Sequence, residues 1–357
     1  MSVLVKVSGS WRQVNSIHTK INGVWKQVNS AYIKMSSIWR SAHAAGGDRG
    51  VIGGGVESYT SISRMEYITI SNPGSSTLFG YSHDGSGGYS TATSNGSNGR
   101  GIFAFGFRPN GNKSSIISYI TISTPGNSTF FGYLTTSMTN EQATSNNTNN
   151  RGVFMGGYTN VGSTDLIQYI TISTPGNALT FGYLTERTKY GAATSNGTNN
   201  RGVYGGGNRY TTGQSCRIDY ITISNPGNAS YFGNLGSYSP ENPAACSNLT
   251  NDRGLFGGGN NVSGAEYNTI RYITISTTGN SASFGVLMGK GKYRHTATSN
   301  GTRNRGIFWG GWNFNYETYR VNRIEYINIA TPSNAYLFGY TRNTGNWGDP
   351  GSTSDGS

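Results

Sequence analysis

Six arginines, Arg49, Arg100, Arg151, Arg201, Arg253 and Arg305, each open the same short block: Arg-Gly, two apolar residues, then a glycine-containing end. They stand 51, 51, 50, 52 and 52 residues apart. Brought together by symmetry, six guanidinium groups would form a ring able to hold an anion near an axis. The alternative is structural, since each arginine has donors enough to organise the hairpin it opens through backbone hydrogen bonds. Every copy keeps the residue, which favours the structural role. Other reactive groups are sparse. There are four histidines, His18, His43, His83 and His295, and two cysteines, Cys216 and Cys246, which do not make a disulfide framework or a zinc cluster. No Ser-His-Asp spacing or phosphate-binding glycine loop is present. Loop acids such as Glu186, Glu241 and Glu317 could converge as the carboxylate pair of glycoside chemistry. The expectation is a non-enzymatic protein with no cofactor and no metal.

Aromatic and basic residues offer more. The densest group is Trp312, Phe314, Tyr316, Tyr319 and Arg320, with Arg342 and Trp347 from the next loop and Tyr293 and Arg294 from the one before. Similar residues stand at Tyr81, His83, Tyr158, Lys189, Tyr190, Arg209, Tyr210, Tyr267, Lys292 and His295. Flat rings suit sugar faces, and Arg or Asn suit hydroxyls or anionic groups. The nine residues of the dense group are the candidate ligand-binding face.

The period near fifty defines the elements that must carry these groups. One supersecondary unit is stacked six times because no copy buries its own apolar face. Each copy resolves into four strand-like runs. In the fourth they are Ala193-Thr-Ser-Asn-Gly, Arg201 to Gly207, Ile218 to Ser224, and Ala229-Ser-Tyr-Phe-Gly. Tyr-Ile-Thr-Ile recurs at 67, 119, 169, 220 and 272, and Tyr-Ile-Asn-Ile stands at 326. That alternation is the period of a strand with two unlike faces. Phe-Gly recurs at 79, 131, 181, 232, 284 and 338. Four antiparallel strands repeated six times spell a six-bladed β-propeller. Thr-Ser-Asn-Gly or a relative precedes every Arg-Gly block except the first, and the missing copy stands at Thr353-Ser-Asp-Gly. The last strand is therefore expected to complete the first blade and close the ring, leaving no open edge.

The four strand types, a small-residue strand, an apolar strand ending in Gly-Gly, a Tyr-containing strand and an aromatic fourth strand, resemble the kelch repeat over residues 44–357. Phe-Gly stands where kelch repeats usually carry Trp. In such a blade the first-to-second and third-to-fourth turns, nearly identical between copies, share one face of the disc. The second-to-third and fourth-to-first connections share the other and diverge. Repetition marks scaffold, and diverged loops are where binding resides.

Residues 1–43 carry a second repeat, of period 14: Lys6-Val-Ser-Gly-Ser-Trp11, Lys20-Ile-Asn-Gly-Val-Trp25 and Lys34-Met-Ser-Ser-Ile-Trp39. Asn22-Gly23 between apolar flanks is a hairpin signal. Two-residue turns set Lys6 opposite Trp11, Lys20 opposite Trp25, and Lys34 opposite Trp39, at cation–π range. A small hairpin meander with one apolar face needs something to pack on. These six residues are the candidate anchoring set. The ladder resembles short Lys/Trp repeats of tailed-bacteriophage structural proteins, where such repeats look like attachment modules.

That resemblance implies a virion protein of a tail or fibre, assembled in the host cytoplasm. Its module at 1–43 would bind other virion (tail or baseplate) proteins, and its propeller at 44–357 would bind host-surface polysaccharide or receptor. A homo-oligomer is compatible with this, and so is an architectural decoration or baseplate subunit. Lys and Arg number 27 against 15 Asp and Glu, but charged residues are only 12% of the chain, and the first 46 residues hold six of the bases and no acid. A surface so poor in charge is a weak fit to a nucleic-acid backbone. No apolar run is long enough for a membrane span.

Overall fold

The computed structural model describes residues 48–356 except 58–59, 86, 109, 211–212, 238, 262, 314–321 and 343–346, together with the backbone strands ahead of Asp48. Those early strands form three separate two-stranded antiparallel ladders: Leu4–Val7 with Ser10–Gln13, His18–Ile21 with Val24–Gln27, and Ser30–Met35 with Ile38–Ala44. Their registers pair Lys6 with Trp11, Lys20 with Trp25 and Lys34 with Trp39. The expected meander is not formed among the described residues, since no ladder joins one hairpin to the next.

The rest is all-β, its sheets arranged as a β-propeller. In five of the sheets the four blade strands come from one uninterrupted stretch of chain. One of these five sheets is extended at its outer edge by Asn208–Arg209 and Gly213–Gln214, from beyond the next inner strand. Their inner strands are Thr91–Ser94, Gln142–Ser145, Ala192–Ser195, Ala244–Ser247 and Thr296–Ser299, each followed by an Arg-Gly strand, a Tyr-containing strand and an outer Phe-Gly strand. A further sheet is composite. Arg49–Gly53, Arg64–Thr69 and Thr77–Tyr81 receive their inner strand, Gly351–Ser354, from the far end of the chain. The Arg49 N–H donates to Asp355 Oδ1 at 2.7 Å, as the Arg100 N–H donates to Asn95 Oδ1 at 2.8 Å. Thr353-Ser-Asp-Gly thus does the work of Thr-Ser-Asn-Gly elsewhere. The inner strands touch one another in chain order, and Gly351–Ser354 touches both the first and the last of the five. They are built almost wholly of small residues, chiefly Ala, Ser and Thr, because they crowd an axis. A ladder of serines runs around it: Ser195, Ser247, Ser299 and Ser354 donate through Oγ to the carbonyls of Ser145, Ser195, Ser247 and Ser299.

Sheets pack face to face through apolar clusters that mix neighbours, such as Ile102, Ile117 and Phe131 with Phe154 and Ile172. The repeated motifs explain themselves here. In each sheet the Tyr of the third strand meets the Phe of Phe-Gly edge to face, with centroids 5.9–6.2 Å apart. The following glycine lies under the next sheet's turn: a Cβ at Gly132 would stand 2.1 Å from the Gly176 carbonyl oxygen. No side chain fits there.

The six Arg-Gly arginines neither ring the axis nor serve their own hairpins; the Asn side chains organise those. Each guanidinium lies over the Tyr of its own sheet, 4.5–4.8 Å from the centroid. Each then donates through Nη1 to two carbonyls at the third-to-fourth turn of the next sheet. Arg151 bonds Ile223 and Ser224 at 3.2 and 2.8 Å. Arg253 bonds Ile329 and Ala330, and Arg305 bonds Ile70 and Ser71, which carries the pattern back to the start. The arginine is a clasp between sheets, worth roughly 3 kcal/mol if each charged hydrogen bond contributes about 1.5 kcal/mol.

Candidate functional site

On the face opposite the clasps, the chain enters each inner strand through one residue in the left-handed region. These are Tyr89, Asn140, Tyr190, Asn242, Arg294 and Asp349, with φ between 49° and 63°. All six line a cavity of about 70 Å³ at the axial opening. Left-handed backbone is mild for Asn and Asp but costs about 1 kcal/mol or more for Tyr and Arg, and such strain marks places where a particular side chain is required. Backbone bonds hold the ring: the Asn242 N–H donates to the Tyr190 carbonyl, Arg294 to Asn242, Asp349 to Arg294 and Ser90 to Asp349.

Arg294 is the centre of this ring. Its Nη1 donates to the Tyr89 hydroxyl and to Asp349 Oδ2, each at 3.2 Å, and its guanidinium lies 5.4 Å from the Tyr89 centroid. Its Nε has no partner. Burial works against the charge on Arg294, but Asp349 and the two tyrosines outweigh it and raise its pKa. Burial raises the Asp349 carboxyl to about 6, against the pull of Arg294. Burial also raises the Tyr190 phenol. The opening thus presents aromatic edges, one cation, and a carboxyl that titrates near pH 6, with the unpartnered Arg294 Nε buried behind them.

Glu141 follows Asn140 and is fully buried, with both carboxyl oxygens unpartnered. Burial pushes its pKa up to about 8, and its own backbone N–H pulls weakly the other way. His295 takes the equivalent position after Arg294 and is held well below its usual value by burial and by Lys292.

The sequence-derived face divides on inspection. Phe314, Tyr316, Tyr319 and Arg320 lie outside the described residues. Trp312, Trp347 and Tyr293 are buried, not presented. Trp347 is 1% exposed, donates through Nε1 to the Gly54 carbonyl, and lies under Arg64. The backbone of Trp312 bridges Tyr293, and that of Gly311 bridges Trp347, so these residues staple the seam beside the composite sheet. Arg342 is exposed, and its N–H donates to Glu66 Oε2. Of the described members of the group, only Arg294 sits in the axial opening. Of the other diverged-loop residues, Arg209 and Lys292 are buried in ion pairs, with Asp219 at 3.2 Å and Glu325 at 3.3 Å. Tyr210 stays 72% exposed. The anchoring set, Lys6 to Trp39, has backbone register alone.

Three other buried acids are structural. Glu66, Asp219 and Glu325 sit at bulges of the third strands. There they accept hydrogen bonds from the preceding sheet: Arg342 N–H to Glu66, the Thr185 hydroxyl to Asp219, Met288 N–H to Glu325. Glu241 accepts from Asn208; Glu317 lies outside the described residues. Cys216 and Cys246 are both free thiols, and burial pushes the Cys246 pKa up to about 12. Among the described residues no group of three or more His, Cys, Asp or Glu is placed to hold a metal ion, and no helix is long and apolar enough to cross a membrane.

Comparison with known proteins returns no matching family model and no matching curated protein.

Proposed function

We propose that this chain is a non-enzymatic structural and adsorption protein of a bacteriophage particle, a kelch-like propeller of six blades carried by an N-terminal attachment module. The blade count is supported by six clasping arginines that reach round to the first sheet. Anchoring to tail or baseplate proteins falls to the Lys/Trp hairpins, whose registers match the spacing of the repeat. Contact with a host-surface glycan or protein receptor falls to the face of diverged loops. One observation carries that assignment: Tyr and Arg are held in costly backbone conformations around the axial opening on the diverged face.

The test is binding of the full chain to intact cells of candidate bacterial hosts. The expected result is saturable binding that falls at least tenfold in Arg294→Ala, with Arg303→Ala, exposed on the clasped face, as the control. Absence of binding to any host, or binding indifferent to Arg294, would favour the second reading, an architectural subunit whose diverged loops touch neighbours in the virion.

A further inference from the structure

Away from the axis, two lysines converge on one aromatic ring at the seam between adjacent sheets. Lys113 leads into the strand Ser114–Thr121, Tyr158 stands in the short strand Tyr158–Thr159, and Lys189 ends the outer strand Leu179–Lys189. Lys113 Nζ lies 4.1 Å and Lys189 Nζ 4.4 Å from the Tyr158 centroid. The two ammonium groups are therefore no more than 8.5 Å apart, within one Debye length (roughly 8–10 Å) at ordinary ionic strength. The ring's negative face attracts each cation but does not cancel their repulsion. Among the described residues no carboxylate lies within ion-pair distance of either lysine. Lys113 also donates to the Thr159 carbonyl at 2.5 Å, which holds its ammonium group beside the ring. Its pKa is lowered by burial and then by Lys189. The site is also continuous with the axial opening, because Lys189 Nζ lies 5.0 Å from the centroid of Tyr190.

We propose that Lys113, Tyr158 and Lys189 form an anion-binding subsite that takes the charged groups of an acidic glycan. This rests on the host-surface reading above and names its ligand class. Two cations beside neutral aromatic rings match an acidic polysaccharide, whose carboxylates or phosphates the ammonium groups would take while its sugar faces meet the rings. A nucleic acid, which is held by neutralising many phosphates at once, asks for a longer basic track. An anion bridging the two ammonium groups would relieve their repulsion, which no carboxylate among the described residues does.

The experiment compares retention of the full chain on immobilised polygalacturonate, neutral dextran and single-stranded DNA. Retention on polygalacturonate that weakens as salt rises, with little on dextran, is expected. Lys113→Ala/Lys189→Ala should weaken it at least tenfold, while Lys113→Arg/Lys189→Arg stays within about threefold. Should the alanine variant unfold, Lys113→Gln/Lys189→Gln keeps the side-chain bulk and is expected to show the same loss. Equal retention of wild type and alanine variant, equal retention on dextran, or tighter retention on DNA would each overturn the proposal. Host-cell binding measured in parallel separates the two readings. Cells bound equally by wild type and variant would remove this subsite and leave the adsorption role. Lysine-dependent polygalacturonate retention without any cell binding would do the reverse.

Discussion

The two faces of the propeller use the same unusual backbone for opposite purposes. Among the described residues, non-glycine residues with positive φ number twelve, divided equally between the faces. On the clasped face Asn150, Asn200, Asp252 and Asn304 end the short turns between first and second strands, and Asn147 and Leu249 begin two of them. All but Leu249 are Asn or Asp, which adopt this region cheaply. On the other face half the positions are Tyr or Arg. Where the backbone shape is the requirement, the residue is chosen to suit it. Where the side chain is the requirement, the backbone is made to tolerate it. The difference separates scaffold from site without reference to any ligand.

The largest effect is expected at Glu141, on the diverged face. Its pKa rises from 4.5 in the unfolded chain to about 8 in the folded one. The native state therefore keeps a proton that the unfolded state releases, and stability falls as pH climbs through that window. Below the window both states are protonated; above it both are ionised, and the folded state carries the full cost of a buried carboxylate, at most roughly 5 kcal/mol. Glu141→Gln should flatten this slope, leaving the variant more stable than wild type at pH 9 and close to it at pH 4. Urea unfolding at the two pH values measures it, and a wild-type slope that survives in the variant would dismiss Glu141 as the source.

A smaller effect is expected from the clasped face. Arg151→Ala strips two carbonyls of their donor and uncovers Tyr169, and should cost roughly 3 kcal/mol. Arg151→Lys should recover little, because an ammonium group is a compact point charge without the planar fork that stacks on the ring. Thermal unfolding decides between clasp and passive surface residue. The smallest change should come from Tyr190→Asn, which installs the residue used at Asn140 and Asn242. Relief of backbone strain and loss of ring packing should nearly cancel, leaving stability within about 1 kcal/mol of wild type. Host-cell binding should nevertheless drop. A variant that kept full binding would take Tyr190 out of the site.

Much of the scaffold was legible because it repeats. Copies of Thr-Ser-Asn-Gly located the closing strand at Thr353-Ser-Asp-Gly, and two-residue turns set the Lys–Trp registers. Contacts between copies were not legible: nothing within one repeat says that Arg151 reaches the next sheet's carbonyls. Burial in the diverged loops was also hidden, since single-copy segments have no periodicity from which to read an inner face. Trp312 and Trp347 looked like presented aromatics and proved to be staples. The left-handed ring left a trace that the repeat alignment could have yielded: Asn140, Asn242 and Asp349 recur two positions ahead of the inner strand, in loops otherwise unlike one another.

The composite sheet has a consequence for synthesis. Arg49 waits for Asp355, 306 residues later, to cap its N–H. At 5–20 residues per second a ribosome needs on the order of tens of seconds to cover that distance. Throughout, the strand Arg49–Gly53 has a bare inner edge, open to pairing with another nascent chain. The N-terminal hairpins emerge before that edge does. The ring is thus the last part of the chain to shut, and crowding of nascent chains on one messenger is the moment at which this protein is most open to exchanging strands with its neighbours.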